Sequence, residues 1–180
     1  VSDLQQHALE IFEHVGNYHI ARLLRRLADQ PVRGDEIHRA PLLAGKHVGV
    51  IGAGGWGTAL AQMLASDGGE VLLWAREGEL AEEINGQHGN SLYLPGVKLA
   101  QTIRATADLA QMSDRTILLL VTPAQHLADV MAQMPVFPRD LVLCAKGIEA
   151  ETGRLMHRVA ADAAPGSEVA VLSGPTFARE

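Results

Sequence analysis

Gly52-Ala53-Gly54-Gly55-Trp56-Gly57 constrains the fold more than any other stretch of this 180-residue chain. It fits G-x-G-x-x-G, directly after an apolar run from Lys46 to Ile51 and directly before a helical pattern from Thr58 to Ala65. In that strand-turn-helix context the pattern points to a dinucleotide-binding βαβ unit, whereas alone it means little. Gly52 permits the tight turn, Gly54 removes a side chain so that the backbone can approach a pyrophosphate, and Gly57 lets the helix pack close to the strand. Amides of the following turn then face the anion at the positive end of the helix. The alternative is a glycine-rich turn that binds nothing.

The rest of the chain supplies the context. Further strands are expected at Glu70 to Trp74, Thr116 to Val121, Leu141 to Ala145 and Val169 to Leu172, and helices at Gln125 to Met134 and Arg154 to Ala163. The strand runs are nearly continuous in apolar character, as in a parallel sheet covered on both faces. The order predicts an α/β fold, a doubly wound, mostly parallel sheet of Rossmann type. Thr122, Pro123 and Gln125 read as a capping box at the start of the helix after the third expected strand.

Residues 1–44 differ in character. Leu4, Ala8, Ile11, Phe12 and Val15, then Ile20, Leu23, Leu24 and Leu27, recur at helical spacing around Gly16-Asn17, and predict two short helices. Pro31 to Gly45 is aperiodic, with prolines, glycines and alternating charges, and reads as a linker. The expected organisation is a helical extension and linker over 1–44 and a dinucleotide-binding domain over 45–180. The apolar stripe of the extension packs on the sheet domain or on another copy of the chain, which leaves a homodimer open. His7, His14, His19 and His38 lie here, but their spacing matches no metal-ligand pattern, so no metal is expected.

Composition excludes several classes. Lys+Arg 15 against Asp+Glu 21 gives a net charge of −6, without a basic stretch interleaved with aromatics, which argues against nucleic acid as a partner. No apolar run approaches the roughly 20 residues a membrane helix needs, and no signal-like segment opens the chain, so a cytoplasmic protein without membrane insertion is expected. The single Cys144 sits in an apolar run and reads as a buried, inert thiol.

The end of the second strand bears on the cofactor. NAD enzymes commonly place an Asp or Glu about 20 residues after the glycines, on the ribose 2′-hydroxyl. Here Trp74-Ala75-Arg76-Glu77 offers a guanidinium suited to a 2′-phosphate, with the carboxylate one step later. NADP(H) is favoured, with NAD(H) the alternative, and Arg76 as a solvated surface charge is the plainer reading.

Several segments together resemble NAD(P)-dependent glycerol-3-phosphate dehydrogenase of the bacterial type: VIGAGGWGTALA from Val50, EVLLWAR from Glu70, INGQHGNSLYLPGV from Ile84, AKGIEAETGRLM from Ala145 and LSGPTFARE from Leu172. The resemblance implies hydride transfer between NAD(P)H and the pair dihydroxyacetone phosphate and sn-glycerol 3-phosphate, for glycerophospholipid synthesis. It implies that Gly55 and Trp56 line the pyrophosphate and nicotinamide side, that Arg76 and Glu77 meet the adenosine ribose, and that Tyr93 is a further cofactor contact. Lys146 would be the catalytic residue, reaching both cofactor and substrate. Gly174 and Thr176 would bind the glycerol phosphate, with Ala178 close to the cofactor. The family commonly has Ser where Gly55 stands, so here only backbone amides are left for the phosphate.

Chemistry agrees with the role of Lys146. It follows an apolar strand at the carboxyl edge of the expected sheet, where an ammonium can polarise a ketone oxygen or pair with a phosphate. A surface lysine at a strand end is the alternative, and Thr176 reads equally as a turn residue. The resemblance also implies a helical C-terminal domain with a second lysine and phosphate-binding Asp and Arg residues, absent from this chain. The chain alone is therefore expected to bind cofactor with little or no turnover. Other readings are a noncatalytic dinucleotide-binding module and a related hydroxy-acid or sugar-acid dehydrogenase.

Overall fold

Four residues per strand is short, and such strands persist only when neighbours cover them on both sides. In the computed structural model, which describes residues 47–66, 68–135 and 139–172, six strands meet this condition to different degrees. They are β1 (Val48–Ile51), β2 (Val71–Trp74), β3 (Ile103–Thr106), β4 (Ile117–Leu120), β5 (Asp140–Leu143) and β6 (Glu168–Val171). All pair in parallel, in the order β3-β2-β1-β4-β5-β6. The helices are α1 (Gly55–Ala65), α2 (Gly78–Gln87), α3 (Leu127–Ala132) and α4 (Met156–Ala163), with 3-10 turns at Leu109–Asp114 and Ala124–His126. The expected doubly wound α/β sheet is the observed one.

Alternation along each strand divides the core into two layers. Ile117 and Leu119 of β4 join Leu60 and Leu64 of α1 and Leu80 and Ile84 of α2. Leu118 and Leu120 point the other way, to Leu127 and Val130 of α3 and Met156 and Val159 of α4. Each such burial contributes about 1.5–3 kcal/mol. β1 and β4 are buried at every position, which is why their sequences read as unbroken apolar runs. Cys144 lies in the first layer, where burial pushes its thiol up to about 12, in keeping with an inert role.

Three elements depart from the sequence expectation. β3 was not anticipated because exposed Arg104 interrupts its four residues and the strand has a neighbour on one side only. The side chain of Asn85 on α2 meets its free flank, donating to the Ala105 carbonyl and accepting from the Ala105 amide, both at 2.8 Å. α2 itself buries Leu80, Ala81 and Ile84, a helical spacing diluted by glycines and glutamates. α4 starts two residues later than expected, because Leu155 is held in a bridge with Ile148. The extension and linker over 1–44 lie outside the described residues.

At the amino edge of the sheet, Arg139 is 8% exposed and donates to the carbonyls of Met112 at 2.9 Å and Pro135 at 3.3 Å. It joins the end of a 3-10 turn to the segment after α3. Arg139→Met keeps the apolar stem and strands those carbonyls, and is expected to cost about 2–3 kcal/mol. A lowered urea midpoint at unchanged m-value is the expected result, and an unchanged midpoint would refute it.

Candidate functional site

The strand ends are in register, with Ile51 beside Trp74 and Leu120, and Leu120 beside Leu143. Every segment that leaves β1, β2, β4 and β5 therefore emerges along one edge. β2 and β3 lie to one side of β1 and β4 to β6 to the other, so the segments after β1 and β4 diverge. Open α/β sheets bind ligands in such a crevice.

The glycine turn occupies that position. Gly52 has φ +118°, and its amide donates to the Trp74 carbonyl at 3.1 Å. A Cβ at Gly57 would stand 1.8 Å from the Gly52 carbonyl oxygen, so α1 leaves the strand at a distance only glycine allows. At Gly54, the N-cap of α1, an added Cβ would meet nothing within 4 Å. The turn is thus tight inside and open outside, and first-turn amides have no partner within their own helix. This open, amide-lined side fits a pyrophosphate.

Gly55 is different again. A Cβ there would lie 2.8 Å from the Tyr93 carbonyl oxygen, since the segment after α2 folds over the turn. Asn90 holds it down. Only 1% exposed, it donates to the Ala53 carbonyl at 2.9 Å and to Thr58 Oγ1 at 2.8 Å, and its Oδ1 accepts from the Tyr93 amide at 2.9 Å. Thr58 also donates to Ala53, at 3.1 Å. Sequence reasoning gave Asn90 no role, although it stands in the segment INGQHGNSLYLPGV. An asparagine between glycine and serine reads as a turn residue, and its partner lies 37 positions away.

The other expected residues are distributed along the same edge. Trp56, 38% exposed, is on the first turn of α1, and Tyr93, 45% exposed, is on the covering segment. Trp74, by contrast, faces the second core layer, with its indole N–H donating to Ala107. Arg76 and Glu77 follow β2 and form an exposed ion pair at 3.0 Å, Glu77 also being the N-cap of α2. Lys146 follows β5, is exposed, and precedes Gly147 at φ +111°. Gly174, Thr176 and Ala178 lie outside the described residues.

The capping box after β4 does not form. Pro123, not Thr122, is the N-cap of a 3-10 turn, which shifts the register by one residue. The Thr122 hydroxyl is left buried without a hydrogen-bond partner among the described residues. The Gln125 side chain instead crosses to the segment after Lys146. Downstream of it, the Glu149 carboxyl is held below the usual carboxylate range by the Thr152 hydroxyl and then by Arg154.

No helix among the described residues is long and apolar enough to cross a membrane. Residues 47–180 match the family model described as the NAD-dependent glycerol-3-phosphate dehydrogenase N-terminus. A glycerol-3-phosphate dehydrogenase (NAD(P)+) of Erythrobacter litoralis is 61% identical over 133 residues, and that of Novosphingobium aromaticivorans 64% over 133. Each alignment covers 74% of this chain and 40% of the relative, so the chain spans about 40% of the length of these relatives. The crystal structure of glycerol-3-phosphate dehydrogenase from Coxiella burnetii superposes with a TM-score of 0.66 at 32% identity, over 73% of this chain and 42% of that one. On the extent of the family match and the identity of these relatives, the chain belongs to the NAD-dependent glycerol-3-phosphate dehydrogenase family and carries its N-terminal region.

Proposed function

We propose that this chain is the cofactor-binding part of an oxidoreductase that interconverts sn-glycerol 3-phosphate and dihydroxyacetone phosphate, supplying the glycerol unit of glycerophospholipids. The carrying observation is the shared edge: the glycine turn after β1 and Lys146 after β5 leave the sheet on the same side, with only β4 between their strands. Strand spacing puts those strands about 10 Å apart, within reach of a long lysine side chain and an extended cofactor. NADP(H) or NAD(H) supplies the hydride.

In this reading Gly52, Gly54, Gly55 and Gly57 shape the turn whose amides hold the pyrophosphate. Trp56 lines the pyrophosphate and nicotinamide side, and Tyr93 is a further cofactor contact. Lys146 brings an ammonium to the carbonyl or phosphate of the substrate, where negative charge is present or develops during reduction. Gly174, Thr176 and Ala178 keep the substrate and cofactor roles that the resemblance implies. The cytoplasm is the compartment that goes with a reaction drawing on a free dinucleotide pool.

Arg76 sets the cofactor preference. Its exposed pairing with Glu77 contributes little to stability, so the guanidinium is available to a 2′-phosphate while Glu77 can accept from a ribose hydroxyl. Quenching of Trp56 fluorescence by NADPH and by NADH tests this. Saturable quenching by NADPH is expected, and Arg76→Ala should weaken NADPH about tenfold while leaving NADH within about twofold. Equal losses for both nucleotides would remove Arg76 as the selector, and no saturable response to either would overturn the cofactor reading.

A further inference from the structure

Lys146 stands on a short span between two anchored points of the backbone. β5 is tied to its neighbour through Cys144, whose amide donates to Leu120 at 3.0 Å. Lys146 follows two residues on, and Gly147 directly after it takes φ +111°, a backbone state open to glycine but rarely to other residues. Residues 148–155 then close on themselves through the Ile148–Leu155 bridge, the bond from the Glu149 amide to the Arg154 carbonyl, and the cluster of Glu149, Thr152 and Arg154. Arg154 reaches Asp162 on α4 at 2.8 Å, an exposed pair.

Gln125, on the 3-10 turn that follows β4, also fastens this loop. Its Nε2 donates to the Ile148 carbonyl and its Oε1 accepts from the Ala150 amide, both at 2.9 Å. Both ends of one planar amide are engaged by a segment 23 to 25 residues away, which restrains direction as well as distance. The segment bearing Gln125 also borders the glycine turn, since the Val121 carbonyl oxygen lies 3.0 Å from where a Cβ of Gly52 would stand. Gln125 thus bridges the wall of the phosphate crevice and the loop that begins two residues after Lys146.

We infer that Gln125 is a positioning residue that sets where Lys146 stands relative to the dinucleotide turn. The inference rests on the reading of Lys146 as a cofactor contact. It assigns Gln125 no contact with cofactor or substrate. Glutamate at this position keeps an acceptor for the Ala150 amide, loses the donor to Ile148, and holds the loop only in part.

A double-mutant cycle on the full 180-residue chain, with NADPH affinity measured by calorimetry, decides the matter. Lys146→Ala alone is expected to weaken NADPH about tenfold. In a Gln125→Ala background the same change should cost no more than about twofold, because the ammonium has already lost its place. Gln125→Glu should fall between. Hydrogen exchange of the Ala150 amide, measured without nucleotide, should be about tenfold faster in Gln125→Ala at an unchanged urea midpoint. A full tenfold loss from Lys146→Ala in both backgrounds overturns the positioning role and leaves the reading of Lys146 intact. No loss from Lys146→Ala in the parent sinks that reading and, with it, the positioning role that rests on it; unchanged exchange of the Ala150 amide in Gln125→Ala overturns the positioning role alone.

Discussion

Gly57→Ala is expected to abolish cooperative folding of the dinucleotide domain. The added methyl would sit 1.8 Å from the carbonyl oxygen of Gly52, a backbone atom that no rotamer change can move aside. Gly52 cannot retreat either, because its amide is bonded to Trp74 and its carbonyl carbon already lies 3.0 Å from the added group. The only relief is to lift α1 away from β1, which opens the layer containing Leu60, Ala61 and Leu64. A loss above about 4 kcal/mol follows from that combination of clash and lost packing. The control is Gly54→Ala, three positions earlier, where a methyl meets only open space and the cost of alanine at an N-cap is about 1 kcal/mol or less. Urea denaturation should show Gly57→Ala without a native baseline and Gly54→Ala close to the parent. Nucleotide titration of Gly54→Ala should then show weakened NADPH binding, since the open side is where the pyrophosphate must approach. A Gly57→Ala protein with a parent-like midpoint would refute the packing argument, and unimpaired nucleotide binding by Gly54→Ala would refute the assignment of the open side.

Asn90→Ala carries the second largest expected effect. Asn90 makes three side-chain hydrogen bonds in a buried setting, two as donor and one as acceptor, and so joins the covering segment to both the turn and α1. Removing it leaves the Tyr93 amide without its side-chain acceptor and takes one donor from Ala53, whose carbonyl keeps Thr58. Buried groups stranded in this way cost about 1–3 kcal/mol, and the cavity adds to that, for an expected total of about 2–4 kcal/mol. The effect should exceed stability. Tyr93 would no longer lie against Gly55, so the quenching of Trp56 by NADPH should weaken even below the unfolding transition. Asn90→Leu, which fills the volume without restoring the bonds, should recover little of either. If Asn90→Leu regains parent stability, packing rather than hydrogen bonding explains the site.

These two positions also show how much could be read from the residues alone. Gly57 was legible because its requirement is local: strand, turn and helix occupy consecutive residues, and the spacing of glycines reports the geometry. The same holds for β1, β2, β4 and β5, whose apolar runs reflect cover on both faces. The edge of the sheet at which Lys146 emerges was legible through its place after such a run. The turn residue Asn90, the edge strand β3 and the true engagement of Gln125 were not. Thr122 and Gln125 have the spacing of a capping box, yet Pro123 starts the helical turn one residue late, and the freed amide finds a better partner across the crevice.

By itself the sequence determined the α/β alternation, the glycine turn, the edge at which Lys146 emerges and the family to which the chain is similar. These depend on neighbours within a few residues, or on the period with which apolar side chains recur. The tertiary structure alone decided that β3 closes one flank of the sheet, that a segment carrying Asn90 and Tyr93 folds over the turn, and that Gln125 fastens the loop after Lys146. Each of these rests on a side-chain amide reaching backbone groups 20 or more residues away. An amide side chain can donate and accept in almost any setting, so its residue type does not announce its partner, and only the folded chain brings the two together.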